Sequence, residues 1–223
     1  MLTQADETVA DPLAVYAGIR TTAVRFVGFK DRGVSPDTLR QLTDRVHADG
    51  RTAVMEIVSE TADDELRSVD LGLELGVELL MGGRRPDLVL PRIAGAGIRY
   101  LPFCGTTTGH PSVLLGTPDE IGDHARSLTE TPGVFGLDLL AYRYAGNVAA
   151  VMASVLRQSH GPVVAAGSID RDSRIAAAVA AGCWGFTVGS AIFESAFVPG
   201  GDHLAQVEHV LRVAAAVMTD SGR

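Results

Sequence analysis

The sequence is almost without lysine: Lys30 stands alone beside eighteen arginines in 223 residues. Where any cation serves, arginine has taken the place, so the surviving amine marks a position at which an always-protonated guanidinium cannot substitute. Cysteine is nearly as scarce. Cys104 and Cys183 lack metal-type spacing and are too few for a disulfide framework, which points to a reducing, cytoplasmic setting. No apolar run is long enough to span a bilayer, so no membrane association is expected. Met1 to Glu7 has neither the basic start nor the apolar stretch of an export signal. Positive charge is also in deficit. With a net charge of -8 the chain has no basic face for a phosphate backbone, which excludes nucleic acid as a partner and requires any anionic ligand to be held locally. What is present is aliphatic: 46% of residues are hydrophobic and only 5% aromatic, enough for one domain over residues 1–223 with a sizeable core.

Short apolar runs alternate with longer segments of helical period, the pattern of a parallel sheet with crossover helices. Eight units are legible. Their strands are Met1 to Thr3, Val24 to Phe29, Thr52 to Val58, Glu78 to Met81, Ile98 to Phe103, Val134 to Leu139, Pro162 to Ala166 and Gly185 to Val188. Between them, Pro36 to Ala48 sets Leu39, Leu42 and Val46 on one face, and Asp202 to Thr219 repeats Leu204, Val207, Leu211, Ala214 and Val217. Ser35-Pro36 and Thr117-Pro118-Asp119-Glu120 are helix starts; Gly50, Gly76, Gly97 and Gly182 are stops. Eight repeats in one sheet predict an α/β fold, a single (β/α)8 TIM barrel whose first strand is unusually short. The rival, a doubly wound open sheet, needs a Gly-x-Gly-x-x-Gly turn after an early strand, and none is there.

The last two strands end alike, in Ala166-Gly167-Ser168-Ile169 and Val188-Gly189-Ser190-Ala191. Glycine lets the backbone approach an anion, successive N–H groups converge on it, and serine adds a hydroxyl. Loops after strands seven and eight are the usual phosphate cradle of barrels, which makes Gly167, Ser168, Gly189 and Ser190 the candidate phosphate-binding residues. On these motifs, from Pro162 to Phe193, the chain resembles the ribulose-phosphate-binding barrels, a superfamily of phosphosugar isomerases, epimerases, lyases and decarboxylases. The resemblance implies a phosphate-binding barrel and a phosphorylated substrate. Gly-Ser-Ile replaces the Gly-Gly-Ile usual after strand seven in those families. The chain also looks like barrels labelled as dehydrogenases of 4-hydroxythreonine phosphate, although no dinucleotide fingerprint accompanies it.

Strand parity locates the polar groups. Val27 and Phe29 face the helices, so Gly28 and Lys30 point inward; Met55 and Ile57 face outward, so Val54, Glu56 and Val58 point inward. Phe135, Leu137 and Leu139 share the outer face, leaving Gly136 and Asp138 inside. Three ionisable groups in an apolar barrel are costly unless they serve chemistry, which makes Lys30, Glu56 and Asp138 candidate catalytic residues. The glycine-rich connection Cys104 to Gly116 is expected to be a mobile segment over the mouth, bringing His110 to the site. Arg143, just after strand six, is a candidate substrate anion ligand; Arg84-Arg85, Asp31 and Glu60 read more plainly as surface or loop residues.

These residues suit an enzyme acting beside the carbonyl of a small phosphorylated sugar or sugar acid, as an isomerase or epimerase with Lys30 as an ammonium, or as an aldol-type lyase with Lys30 as Schiff-base nucleophile. A non-catalytic phosphometabolite-binding barrel and, more weakly, an NAD-dependent oxidoreductase are the alternatives. No cofactor is expected, a divalent metal at Glu56 and Asp138 stays open, and a homo-oligomer is compatible with the sequence.

Overall fold

The computed structural model describes residues 1–220. Two parallel sheets form the centre: β3 (Phe26–Lys30), β4 (Thr52–Ile57), β5 (Leu79–Gly82) and β6 (Arg99–Leu101) in one, β9 (Leu137–Leu139), β10 (Val163–Ala165) and β11 (Gly185–Phe186) in the other. Parallel bridges Tyr100–Val134 and Phe103–Asp138 join β6 to β9. At the other edges, the Met1 nitrogen donates to Val188 O at 2.8 Å and Leu2 N to Gly28 O at 2.6 Å. Residues 1 and 2 thus stand between β11 and β3, in the eighth strand position. The chain has the (β/α)8 barrel fold, with helices α1 (Pro12–Ile19), α2 (Pro36–Ala48), α3 (Ala62–Leu75), α4 (Pro86–Ile93), α5 (Pro118–Glu130), α6 (Val148–Gln158), α7 (Asp172–Ala181), α8 (Ser190–Phe193) and α9 (His203–Asp220) following the strands.

The helix signals act as their chemistry dictates. Ser35 Oγ accepts from Thr38 N, Thr117 and Glu120 form a reciprocal capping box, and Gly76 ends α3 at φ 66°. Val27, Phe29, Met55 and Ile57 pack beneath α2 and α3 with Leu39, Leu42 and Val69, whereas Val54, Leu79, Met81, Leu101 and Val164 form a separate interior cluster. That division is the strand alternation made physical.

Three expectations need correction. The short first strand runs only to Leu2 in the ring; Thr3–Gln4 (β1) then folds back antiparallel on Glu7–Thr8 (β2). The glycine-rich connection is an antiparallel hairpin, Thr106–Thr108 (β7) against Val113–Leu115 (β8), because alternating threonines and branched residues pair across its turn. Phe135 does not share the outer face of Leu137 and Leu139. It packs on the interior cluster, because Phe135 N and Gly136 N both donate to Tyr100 O, at 2.9 and 3.4 Å, a bulge that shifts the alternation by one residue.

Candidate active site

Lys30 is the last residue of β3 and lies opposite Glu56 in the β3–β4 register. Both are buried, and Lys30 Nζ is 3.5 Å from Glu56 Oε2. Asp138, opposite Val164 on β10, is fully buried in β9. Burial first, then repulsion from Glu56, push its carboxyl well above the usual 3.8, against the opposing pull of Lys30 and Arg143. Neither Asp138 oxygen has a hydrogen-bond partner among the described residues, so no donor supports its ionised form.

The strongest partner of Lys30 is a residue the sequence reading missed. Asp6 occupies the β1–β2 turn, where Ala5 (φ 50°) and Asp6 (φ 64°) both take the left-handed conformation of a two-residue hairpin. Its Oδ1 accepts from Lys30 Nζ at 2.7 Å and from Arg143 Nη2 at 2.6 Å; its Oδ2 accepts from Arg143 Nη1 at 2.7 Å and Ser112 N at 3.1 Å. Burial alone would raise this carboxyl, but Arg143 and Lys30 outweigh it and hold it well below 3.8. Thr8 ties the hairpin to β3: its hydroxyl oxygen accepts from Lys30 N at 2.9 Å and lies 2.9 Å from Lys30 O. The one sequence signal was an aspartate, which tolerates positive φ, between two short extended pairs.

The Gly-Ser turns flank this cluster at the C-terminal ends of β10 and β11. Gly167 has φ 77°, and a Cβ there would lie 2.7 Å from Arg143 Cγ, so the arginine stem crosses that turn. Ser168 is exposed. A Cβ on Gly189 would lie 2.6 Å from Thr3 Oγ1, and Ser190 Oγ accepts from Ala5 N at 3.3 Å, so the N-terminal hairpin rests on the second turn. Arg143 is committed to Asp6 and to Ser112 O, at 3.1 Å. His110 is exposed in the β7–β8 turn, two residues from the Ser112 amide that reaches Asp6. The structure therefore brings Lys30, Glu56, Asp138 and Arg143 to one end of the barrel with both turns, and leaves His110 at the rim.

Other polar groups have structural partners. Asp31 accepts from Ser59 Oγ at 2.7 Å and Ser68 Oγ at 2.5 Å; Glu65 binds Arg85 Nη1 at 2.7 Å and the amides of Arg84 and Arg85. Burial pushes the Cys104 thiol far up, away from the reactive thiolate. Among the described residues no three His, Cys, Asp or Glu side chains group as metal ligands, and no helix is long and apolar enough to cross a membrane. An apolar cavity of about 430 Å³ opens at the opposite end, lined by Val24, Phe26, Val54, Leu79, Trp184 and Leu211 among others. Of its lining side chains only Arg25 is charged, and none of Asp6, Lys30, Glu56 or Asp138 lines it.

No protein-family model matches the sequence, and no curated protein matches it. Solved structures do match in fold. The Amycolatopsis orientalis BexX/CysO complex is similar with a TM-score of 0.64 at 21% identity, over 98% of this chain and 91% of that one. Orotidine 5'-phosphate decarboxylase from Pyrococcus horikoshii OT3 gives 0.66 at 12%, over 92% and 93%, and a native KDPGal structure 0.58 at 15%, over 89% and 98%. At such identities the likeness establishes the fold alone, a (β/α)8 barrel.

Proposed function

We propose that the chain is an enzyme acting beside the carbonyl of a small phosphorylated sugar or sugar acid, as an isomerase or epimerase or as an aldol-type lyase. The observation that carries this reading is the convergence of one buried amine and two buried carboxyl groups at the end of the barrel where two Gly-Ser turns stand. Carbon–hydrogen or carbon–carbon bond breaking beside a carbonyl needs a proton acceptor, a proton donor and positive charge near the developing oxyanion. Glu56 supplies the first; the Lys30 ammonium supplies the third and passes its proton to that oxygen, with Asp138 as a further proton donor. Gly167, Ser168, Gly189 and Ser190 hold the phosphate, Arg143 stands beside it, and His110 contacts substrate from the rim. Fold likeness to a decarboxylase of orotidine 5'-phosphate and to a KDPGal aldolase supports a phosphorylated substrate class. The reading involves a small metabolite in the cytoplasm, without nucleic acid, membrane or cofactor, and accommodates a homo-oligomer.

The test is a panel of phosphorylated aldoses, ketoses and sugar acids with Lys30→Arg and Lys30→Ala. Arginine should be nearly as inactive as alanine, each losing about 10²- to 10⁴-fold in turnover, because a guanidinium does not give up its proton at working pH. Turnover of the arginine variant within about threefold of wild type contradicts proton-transfer and Schiff-base roles together. One observation favours a second reading. Asp6 already satisfies Lys30 and Arg143, as it would in a barrel that binds phosphometabolites without turning them over; saturable binding with no turnover by any panel member supports that reading.

A further inference from the structure

We infer that Asp6 is the positioning residue of this site: it keeps Lys30 as an ammonium and fixes Arg143 beside it, so that the barrel uses a charged amine and not a Schiff-base nucleophile. The inference rests on the proposed function and chooses between its two mechanisms. Four donor contacts fall on one carboxylate, from the end of β3, from the short turn after β9 and from the β7–β8 hairpin. Asp6 and Lys30 side chains are 1% and 5% exposed, so water screens little of their attraction. The turn that delivers the carboxylate sets two non-glycine residues at positive φ, a conformation that is costly for alanine and is kept only where surrounding contacts compel it. A carboxylate there serves the cations it meets.

The charged and titratable groups around Lys30 are Asp6 on the hairpin, Glu56 on β4, Asp138 on β9, Arg143 beyond β9 and the amino group of Met1. Asp6 is 2.7 Å from the amine and Glu56 3.5 Å, and no ion pair joins Asp138 to it, so the hairpin carboxylate is the nearest counter-charge. Without it, desolvation acts on the amine with only Glu56 in opposition. A neutral amine would then be available to attack a carbonyl.

Because Lys30 is the only lysine, protein grown on [13Cε]lysine gives a single lysine signal whose shift follows the protonation of that amine. Asp6→Asn keeps the shape and tolerates positive φ while removing the charge. The titration midpoint should fall by at least one pH unit, a tenfold change in the ammonium-to-amine ratio. Thr8→Val, which removes a hairpin tie but leaves the carboxylate, should move it by less than half as much. In Arg143→Gln Lys30 is the one cation left on the carboxylate and a nearby positive charge is gone, so the midpoint should rise. An unmoved midpoint in Asp6→Asn, or an equal fall in Thr8→Val, overturns the inference; if Asp6→Asn does not fold, a midpoint that fails to rise in Arg143→Gln overturns it. The readout needs no substrate, which separates the two ideas. Midpoint shifts as expected with a fully active Lys30→Arg would sink the proposed chemistry and leave Asp6 in place; unmoved midpoints with inactive Lys30 variants would do the reverse.

Discussion

Asp138 has no donor for either carboxyl oxygen, whereas Asp6, at the same end of the barrel, has four. The same side chain is therefore pushed toward its protonated form in one place and toward its ionised form in the other, and the stability consequences have opposite signs. For Asp138 the folded state holds its proton above the unfolded value of 3.8, so the favourable contribution present below about pH 4 is lost as pH rises toward the folded value. For Asp6 the folded value lies below 3.8, so its contribution is present above about pH 4 and is lost as pH falls further. Asp138→Asn should thus match wild type in Tm near pH 4 and gain on it steadily up to pH 8, even as turnover is lost. A constant Tm difference across that range would mean that Asp138 is ionised or solvated in the fold. Lys30, Glu56 and Asp138 were legible in the sequence because strand alternation is a local rule. Asp6 was not, since its partners Ser112 and Arg143 lie 106 and 137 residues away and only the closed ring brings them together.

Among the elements, the parallel strands were readable from apolar runs bounded by glycine and by capping residues, and β4 begins at Thr52 as the sequence indicates. The two hairpins were hidden. Thr3–Gln4 and Glu7–Thr8 are two residues each, too short for any period, and the glycines of Cys104 to Gly116 resemble those of an irregular loop. The bulge at Phe135-Gly136 is a third element that alternation alone cannot reveal, and it decides which face Phe135 presents. Its glycine has a steric reason: a Cβ at 136 would sit 2.3 Å from Pro162 O and 2.8 Å from Pro162 Cγ. A backbone oxygen in a neighbouring strand cannot step aside cheaply. Gly136→Ala should therefore destabilise the protein by about 1–3 kcal/mol, read as a fall of several degrees in Tm. Gly185→Ala, where an added Cβ meets nothing within 4 Å, should stay within roughly 0.5 kcal/mol. Equal stabilities for the two variants would remove the steric account of the bulge.

Across the whole molecule, the lone lysine lies beneath a small piece of chain that is anchored at few points. The β1–β2 hairpin is held by the Thr8 hydroxyl on β3, by Thr8 N on Arg32 O at 2.9 Å, by Ala5 on Ser190 and by the Asp6 cluster, while the strands and helices around it form the large apolar clusters. Opening the hairpin exposes little apolar surface compared with unfolding the barrel, although it breaks the buried contacts of Asp6 with Lys30 and Arg143. The urea dependence of an opening scales with the surface it exposes, and global unfolding of small proteins shows slopes of about 1–3 kcal/mol per molar urea. Acylation of Lys30, followed by mass spectrometry of its peptide, measures the opening directly because no other lysine competes. At low urea its rate should rise with a slope well under the global one obtained from circular dichroism, then steepen as global unfolding takes over. That shallow limb is the signature of a hairpin that opens over Lys30 while the barrel stays folded. Should acylation instead follow the full global slope from the lowest urea upward, the hairpin opens only with the barrel, and the route to Lys30 must lie elsewhere.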